Sequence, residues 1–170
     1  MPVSSGLRWL WLTLTVIVID QFSKHLVVSS LELHEAVALL PSLNLMLAHN
    51  TGAAFSFLSS ASGWQRWFFV CLALLVSVAL MLWLRRLSSG QQLQACALAL
   101  ILGGALGNVW DRLSYGYVID FIDVYYKSWH FPVFNVADSA ITAGAVLLIF
   151  DTIIRPVSRH RPAAEGKDHE

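Results

Sequence analysis

Apolar residues in this chain gather into four long runs separated by segments of mixed polarity, and the lengths of those runs set the first expectation. Trp67 to Leu84 is an uncharged apolar run of 18 residues, the length at which a helix becomes a candidate to cross the hydrocarbon core of a bilayer. Leu7 to about Val28 is largely apolar around Asp20, Gln21 and Lys24, while Leu93 to Trp110 and Val136 to Ile154 carry a few polar residues each. The pattern predicts a mainly α, polytopic membrane protein with four transmembrane helices over about 7–28, 64–84, 93–112 and 136–154. An N-terminal signal peptide is the alternative for the first run, but no A-x-A site follows it and Asp20 falls where such a site belongs.

Between the runs, two segments of about 29–63 and 113–135 are too short to be domains and too apolar to be plain linkers. Leu43 to Leu47 alternates at its start, and Tyr117 to Tyr126 is rich in β-branched and aromatic residues, so both predict short strands in a small external β-sheet cap. Alternation along the second strand turns Asp120 and Asp123 to opposite faces. One domain over 1–155 follows, with a polar tail over 156–170 that is expected to be disordered.

Composition and charge agree with this picture. Of 170 residues, 56% are hydrophobic and 13% charged, and the formal net charge is zero, which removes both an ordinary soluble fold and a nucleic-acid binder. Placing both termini and the Arg85-Arg86 loop on the cytoplasmic side puts Arg8, Arg85, Arg86, Arg155, Arg159, Arg161 and Lys167 there, the majority of the 11 lysines and arginines, as the positive-inside rule requires. Cys71 and Cys96 fall in apolar stretches at different depths and are expected to be small buried hydrophobes, not a disulfide.

Ionisable residues inside a span cost at least roughly 2.5 to 3.5 kcal/mol each on insertion scales, so each needs a reason. Asp20 and Lys24 stand four residues apart, the spacing of a helical ion pair, and are expected to be scaffold. Ala99, Gly103 and Gly107 recur every fourth residue as a close-packing face, which continues into Asn108, Asp111 and Arg112 near the external end of the third span. Asn135 and Asp138 open the fourth, where an aspartate is also a natural first-turn residue. Asp111, Asp120 and Asp138 thus approach one membrane face from three elements, with Asn50, Asn108, Arg112 and Asn135 placed to surround them.

Two carboxylates held close together do not both ionise easily; one keeps a proton while the other activates water, the chemistry of an aspartic protease. A serine-type site needs a histidine beside its nucleophile, and His34, His49 and His130 are the external candidates, with His49 reading mainly as an interfacial strand residue. A transporter would need polar residues at several depths, whereas these gather at one side. A non-enzymatic assembly factor would use the same glycines and polar residues as packing glue.

Five segments carry a resemblance to a known family: Asp20-Gln21-Phe22-Ser23-Lys24, Asn50 to Phe55, Gly103 to Arg112, Val118-Ile119-Asp120-Phe121 and Phe134 to Ser139. Together, and in this order, they resemble the signature blocks of bacterial lipoprotein signal peptidase (signal peptidase II); Ile119 stands where a valine is common. The resemblance implies an inner-membrane aspartic endopeptidase that removes the signal peptide of diacylglyceryl-modified prolipoproteins just before the lipidated cysteine. It implies Asp120 and Asp138 as the catalytic pair, Asn50, Gly52, Asn108, Asp111, Arg112 and Asn135 as substrate-binding or support residues, and Asp20 and Lys24 as scaffold.

On this reading no metal or organic cofactor is expected. The expected partners are prolipoproteins and membrane lipids, with globomycin as the family's inhibitor and no nucleic acid. A monomer is expected, with both termini cytoplasmic and the site near the periplasmic face. One aspartate would take a proton from water, the other would protonate the departing amine, and Arg112 or an asparagine amide would stabilise the oxyanion. The external strands are expected to move as a lid that admits the lipidated chain, with Gly52 as its hinge.

Overall fold

The computed structural model describes residues 6–52 and 63–154. A short 3-10 turn, Leu7–Trp9, leads into α1 (Leu10–Ser30), followed by β1 (Ala36–Leu40), β2 (Leu43–Asn50), α2 (Trp64–Arg86), α3 (Gln92–Ser114), β3 (Val118–Tyr126), β4 (Trp129–His130) and α4 (Val136–Ile154). All four long helices are long and apolar enough to cross a membrane. Their positions match the four predicted runs, with boundaries displaced by a few residues at most. The predicted 156–170 tail lies outside the described residues.

The helix α3 is the hub. In its most apolar stretch 61% of the residues are buried inside the protein, against 22–28% for the other three helices. Small residues explain how its neighbours come so close. A Cβ at Gly103 would stand 2.8 Å from the Val16 Cβ on α1, on the Ala99, Gly103, Gly107 face, and the Thr13 hydroxyl donates to the Ala99 carbonyl across the same contact at 3.0 Å. A second small-residue face, which the four-residue repeat did not reveal, serves α4. A Cβ at Gly104 would run into the Ala137 carbonyl, and one at Gly144 would lie 2.6 Å from the Ala97 carbonyl. Without a hydrophobic drive between helices in lipid, such close backbone approach supplies the packing attraction.

Large apolar side chains point outward: Leu75 on α2 is 69% exposed and Ile153 on α4 is 72% exposed. In water this would be an aggregation surface, and in a bilayer it is the lipid contact. Cys71 shares that outward surface and Cys96 is half-buried, so the expectation that both are buried is corrected: with acyl chains as the solvent, an apolar thiol has no need of the protein core.

The cap on the bundle is a four-stranded antiparallel sheet in the order β1-β2-β3-β4. Sequence patterning found β2 and β3 but neither edge strand. Every residue of β1 is exposed, so no alternation marks it, and β4 is only two residues long. Between β2 and β3 the register shifts, Leu45 pairing with Ile122 but Ala48 with Asp120; the extra residue on β2 is a bulge opposite Phe121. Val27 of α1 packs with Leu47, Ile119 and Phe121 to seat the sheet on the end of the bundle.

Candidate active site

The site begins with a buried ionic cluster at the junction of α1 and α3. Lys24 Nζ lies 2.8 Å from Asp20 Oδ2 and 2.7 Å from Asp111 Oδ2, and all three side chains are almost wholly enclosed. Each carboxylate also reaches outward to fix a different element. Asp20 Oδ1 accepts the Ala137 N–H in the first turn of α4 at 2.9 Å, and Asp111 Oδ2 accepts the Ile119 N–H of β3 at 3.1 Å. Gln21 donates to Asp111 Oδ1 at 2.8 Å and to Asp20 Oδ2 at 3.1 Å. The cluster therefore pins the two elements that carry Asp120 and Asp138. Asp111 acts from behind: it is not among the residues lining the adjoining cavity.

From this base the polar network continues through asparagines. Lys24 Nζ donates to Asn108 Oδ1 at 3.2 Å, and Asn108 Nδ2 donates to Asp138 Oδ1 at 2.8 Å. Asn135, fully buried, donates from Nδ2 to Asp120 Oδ1 at 2.7 Å, to Asn108 Oδ1 at 3.2 Å and to the Ile119 carbonyl at 3.3 Å. Its own Oδ1 accepts the Asp138 N–H at 2.8 Å, while Asp138 Oδ2 accepts the Asn135 N–H at 3.4 Å. This reciprocal pair is a capping box at the start of α4. Asp138 thus fills the first-turn role open to it in the sequence and also presents Oδ1 to the site.

Asp120 and Asp138 both line a cavity of about 890 Å³, together with Asn50, Asn108 and Arg112. Asn50 Nδ2 donates to Asp120 Oδ2 at 3.0 Å. Burial first, and then the negative charge of Asp138, push the Asp120 carboxyl up from the usual range to about 7, against hydrogen bonds from Asn50 and Asn135 that pull it down. Near neutrality such a group exchanges a proton readily, as a general acid or base must. Arg112 donates to the Gly52 carbonyl at 2.8 Å and to the Asn108 carbonyl at 3.4 Å, and its guanidinium sits 5.2 Å from the Phe69 ring centre. Gly52 also donates its N–H to Asn50 Oδ1 at 3.0 Å. Residues 53–62, which follow Gly52, lie outside the described residues.

Phe131, Pro132, Val133, Phe134 and Ile141 give the cavity an apolar wall. Sequence reasoning missed this wall, because a short Phe-Pro-Val-Phe stretch between a strand and a helix carries no periodic signal. Gln21 stands out in the sequence as a polar residue of the first span and of the Asp20–Lys24 block, but sequence reasoning assigned it no role. His49 borders the cavity, with its ring stacked on Tyr117 at 3.9 Å between centres, which fits a strand residue better than a catalytic base. Asp123 points away from the cavity, as strand alternation predicted, and pairs with Asn44 at 2.9 Å and His130 at 2.8 Å. Among the described residues no group of three or more His, Cys, Asp or Glu side chains is placed to hold a metal.

A membrane-spanning bundle that holds two carboxylates over one cavity with polar and apolar lining residues has the architecture of a membrane aspartic peptidase. The signal peptidase (SPase) II family profile matches residues 12–154. The lipoprotein signal peptidase of Yersinia enterocolitica is 53% identical over 156 residues, covering 92% of each chain, and that of Photorhabdus laumondii is 54% identical over 153 residues, covering 90% of this chain and 92% of the relative. Two solved structures of bacterial membrane enzymes obtained by the in meso method share the fold. The one at 2.3 Å resolution has a TM-score of 0.78 at 28% identity, with 94% of both chains covered. The other, at 1.9 Å, has a TM-score of 0.75 at 30% identity over 85% of this chain and 91% of that one. The chain belongs to the signal peptidase II family.

Proposed function

We propose that this chain cleaves diacylglyceryl-modified prolipoproteins just before the lipidated cysteine, with Asp120 and Asp138 as the catalytic pair. One observation carries the assignment: these two aspartates line one cavity while a single buried asparagine, Asn135, donates to the Asp120 carboxylate and accepts the backbone N–H of Asp138. The cavity's two characters suit an amphiphilic substrate. Its apolar wall accepts lipid and signal-peptide side chains, and its polar end takes the scissile amide.

In the resting site one proton is held by the pair, since two adjacent carboxylates resist double ionisation. The ionised aspartate removes a proton from water, the hydroxide attacks the carbonyl carbon, and the protonated aspartate delivers its proton to the departing amine. Arg112 is the favoured donor to the oxyanion. The Asn135 amide is already committed to three protein acceptors, whereas Arg112 combines a full positive charge with a place on the cavity lining, where a preorganised donor is most effective. Asn50 and Asn108 orient the aspartates, and Asp20, Lys24 and Asp111 hold the frame.

The positive-inside distribution supports an inner-membrane orientation with both termini cytoplasmic and the cavity near the periplasmic face. That the hydrogen bonds to both aspartates among the described residues come from the same chain supports a monomer as the working unit. The deciding experiment follows a purified diacylglyceryl-modified prolipoprotein by gel shift with wild-type protein and with folded Asp120→Asn and Asp138→Asn variants. Cleavage by wild type alone, stopped by globomycin, is the expected result. Cleavage by both variants would end the assignment of this pair.

A further inference from the structure

The side-chain tie at the far end of the sheet bears on the cavity. Asp123 is 1% exposed, yet it lies outside the catalytic network. One of its oxygens accepts from Asn44 of β2 at 2.9 Å and the other meets Nδ1 of His130 on β4 at 2.8 Å, so a single carboxylate on β3 joins three strands. A carboxylate is costly to enclose unless its hydrogen bonds are well made, and here both oxygens have a partner. The His130 ring also stacks on Tyr125 at 5.3 Å between centres.

What His130 holds is the start of the apolar wall. The next four residues, Phe131 to Phe134, all line the cavity, and Asn135, which bonds both aspartates, follows directly. The backbone anchors this stretch at its two ends, by Phe131 N–H to the Val124 carbonyl at 2.8 Å and by Phe134 N–H to the Ile122 carbonyl at 3.1 Å. The two-residue strand β4 pairs with β3 only through Tyr125–His130 and Tyr126–Trp129, a short ladder. At its entrance the wall therefore depends on the side-chain tie as well as the backbone.

We propose that Asp123 and His130 form a positioning pair that sets the Phe131–Phe134 wall for the apolar part of the substrate, acting on substrate capture rather than on bond cleavage. The proposal rests on the cavity being the substrate site. Its signature is a split between KM and kcat, because loss of binding that is equal in ground and transition states raises KM alone.

The test uses full-length protein in mixed micelles with a diacylglyceryl-modified prolipoprotein. His130→Ala is expected to raise KM roughly fivefold, the equivalent of about one hydrogen bond, with kcat held within about twofold. His130→Asn, which returns an N–H donor near the Nδ1 position, recovers most of the loss. Asp123→Asn, which weakens the tie from the other side, shifts KM in the same direction as His130→Ala. Thermal unfolding of each variant reports its fold, and Asp120→Asn serves as the control that loses kcat. An unchanged KM in folded His130→Ala, or a fall in kcat at constant KM, overturns the positioning role. Retained turnover in Asp120→Asn would instead sink the site assignment on which it rests.

Discussion

Asn135 and Asp120 are joined by a 2.7 Å hydrogen bond from an amide that is completely buried, and the same asparagine accepts the backbone N–H of Asp138. One side chain at the start of α4 thus links the Asp120 carboxylate to the backbone of Asp138. Replacing Asn135 with Ala removes the bond to Asp120 and the cap on Asp138 together. Turnover is expected to fall about 10- to 100-fold, the range of one or two lost hydrogen bonds to charged groups. Steady-state kinetics on protein that still migrates as a folded species checks it, and a kcat within twofold of wild type would contradict it.

The Asp120 carboxyl, raised by burial and by Asp138 to about 7, predicts a specific pH dependence. A raised acid binds its proton more tightly in the folded than in the unfolded chain. Its stabilising contribution is complete below the unfolded carboxylate value near 4, and is lost as pH rises through about 7. Thermal unfolding in detergent between pH 5 and pH 8 should show a midpoint that falls with rising pH in wild type and falls less in Asp120→Asn. Turnover that needs one proton on the pair should decline above about 7 as well.

Lys24→Met leaves Asp20 and Asp111 enclosed without their cation. Breaking a buried ion pair from one side costs about 3–5 kcal/mol, so a large drop in unfolding midpoint is expected, with loss of activity following loss of fold. Circular dichroism on heating, beside gel filtration, measures it; a midpoint close to wild type would show that the cluster relaxes or protonates instead.

The α3–α4 contact predicts an asymmetry between two apolar surfaces. Gly104→Val places a side chain against the Ala137 carbonyl and is expected to destabilise by about 1–3 kcal/mol or more through overpacking. Leu75→Ile, on the exposed face of α2, should stay within about 0.5 kcal/mol. Parallel unfolding curves in one detergent compare them.

The sequence made the bundle legible because lipid imposes length and continuity on each span, and runs such as Trp67–Leu84 advertise both. The Asp20–Lys24 spacing and the Ala99, Gly103, Gly107 repeat were legible for a related reason: within one helix, neighbours follow from periodicity. What joins different elements was harder to read. Gly104 and Gly144 belong to an interface between two helices, and no single-helix pattern marks them. The convergence of Asp120 with Asp138 was legible only as approach to a common membrane face. That Asp111 stands behind the cavity, tied to Lys24, depends on where β3 docks, which sequence spacing does not encode. The Phe131–Phe134 wall carried no signal because its residues act through position in an irregular link and not through repeat.

The manner in which α3 holds its neighbours has a consequence for the lipid around them. Asp120 is fixed to α3 through the Asp111 bond to Ile119, and Asp138 through Asn108 and the glycine contacts with α4. Both links lie inside the protein, and neither passes through α2 or the acyl chains. A bilayer that is thinner or thicker than the spans can be met by tilting the assembly as a whole, leaving the two carboxylates at a constant separation. The spacing of the pair is insulated from changes in membrane thickness, and what such changes alter is the depth of the cavity in the bilayer.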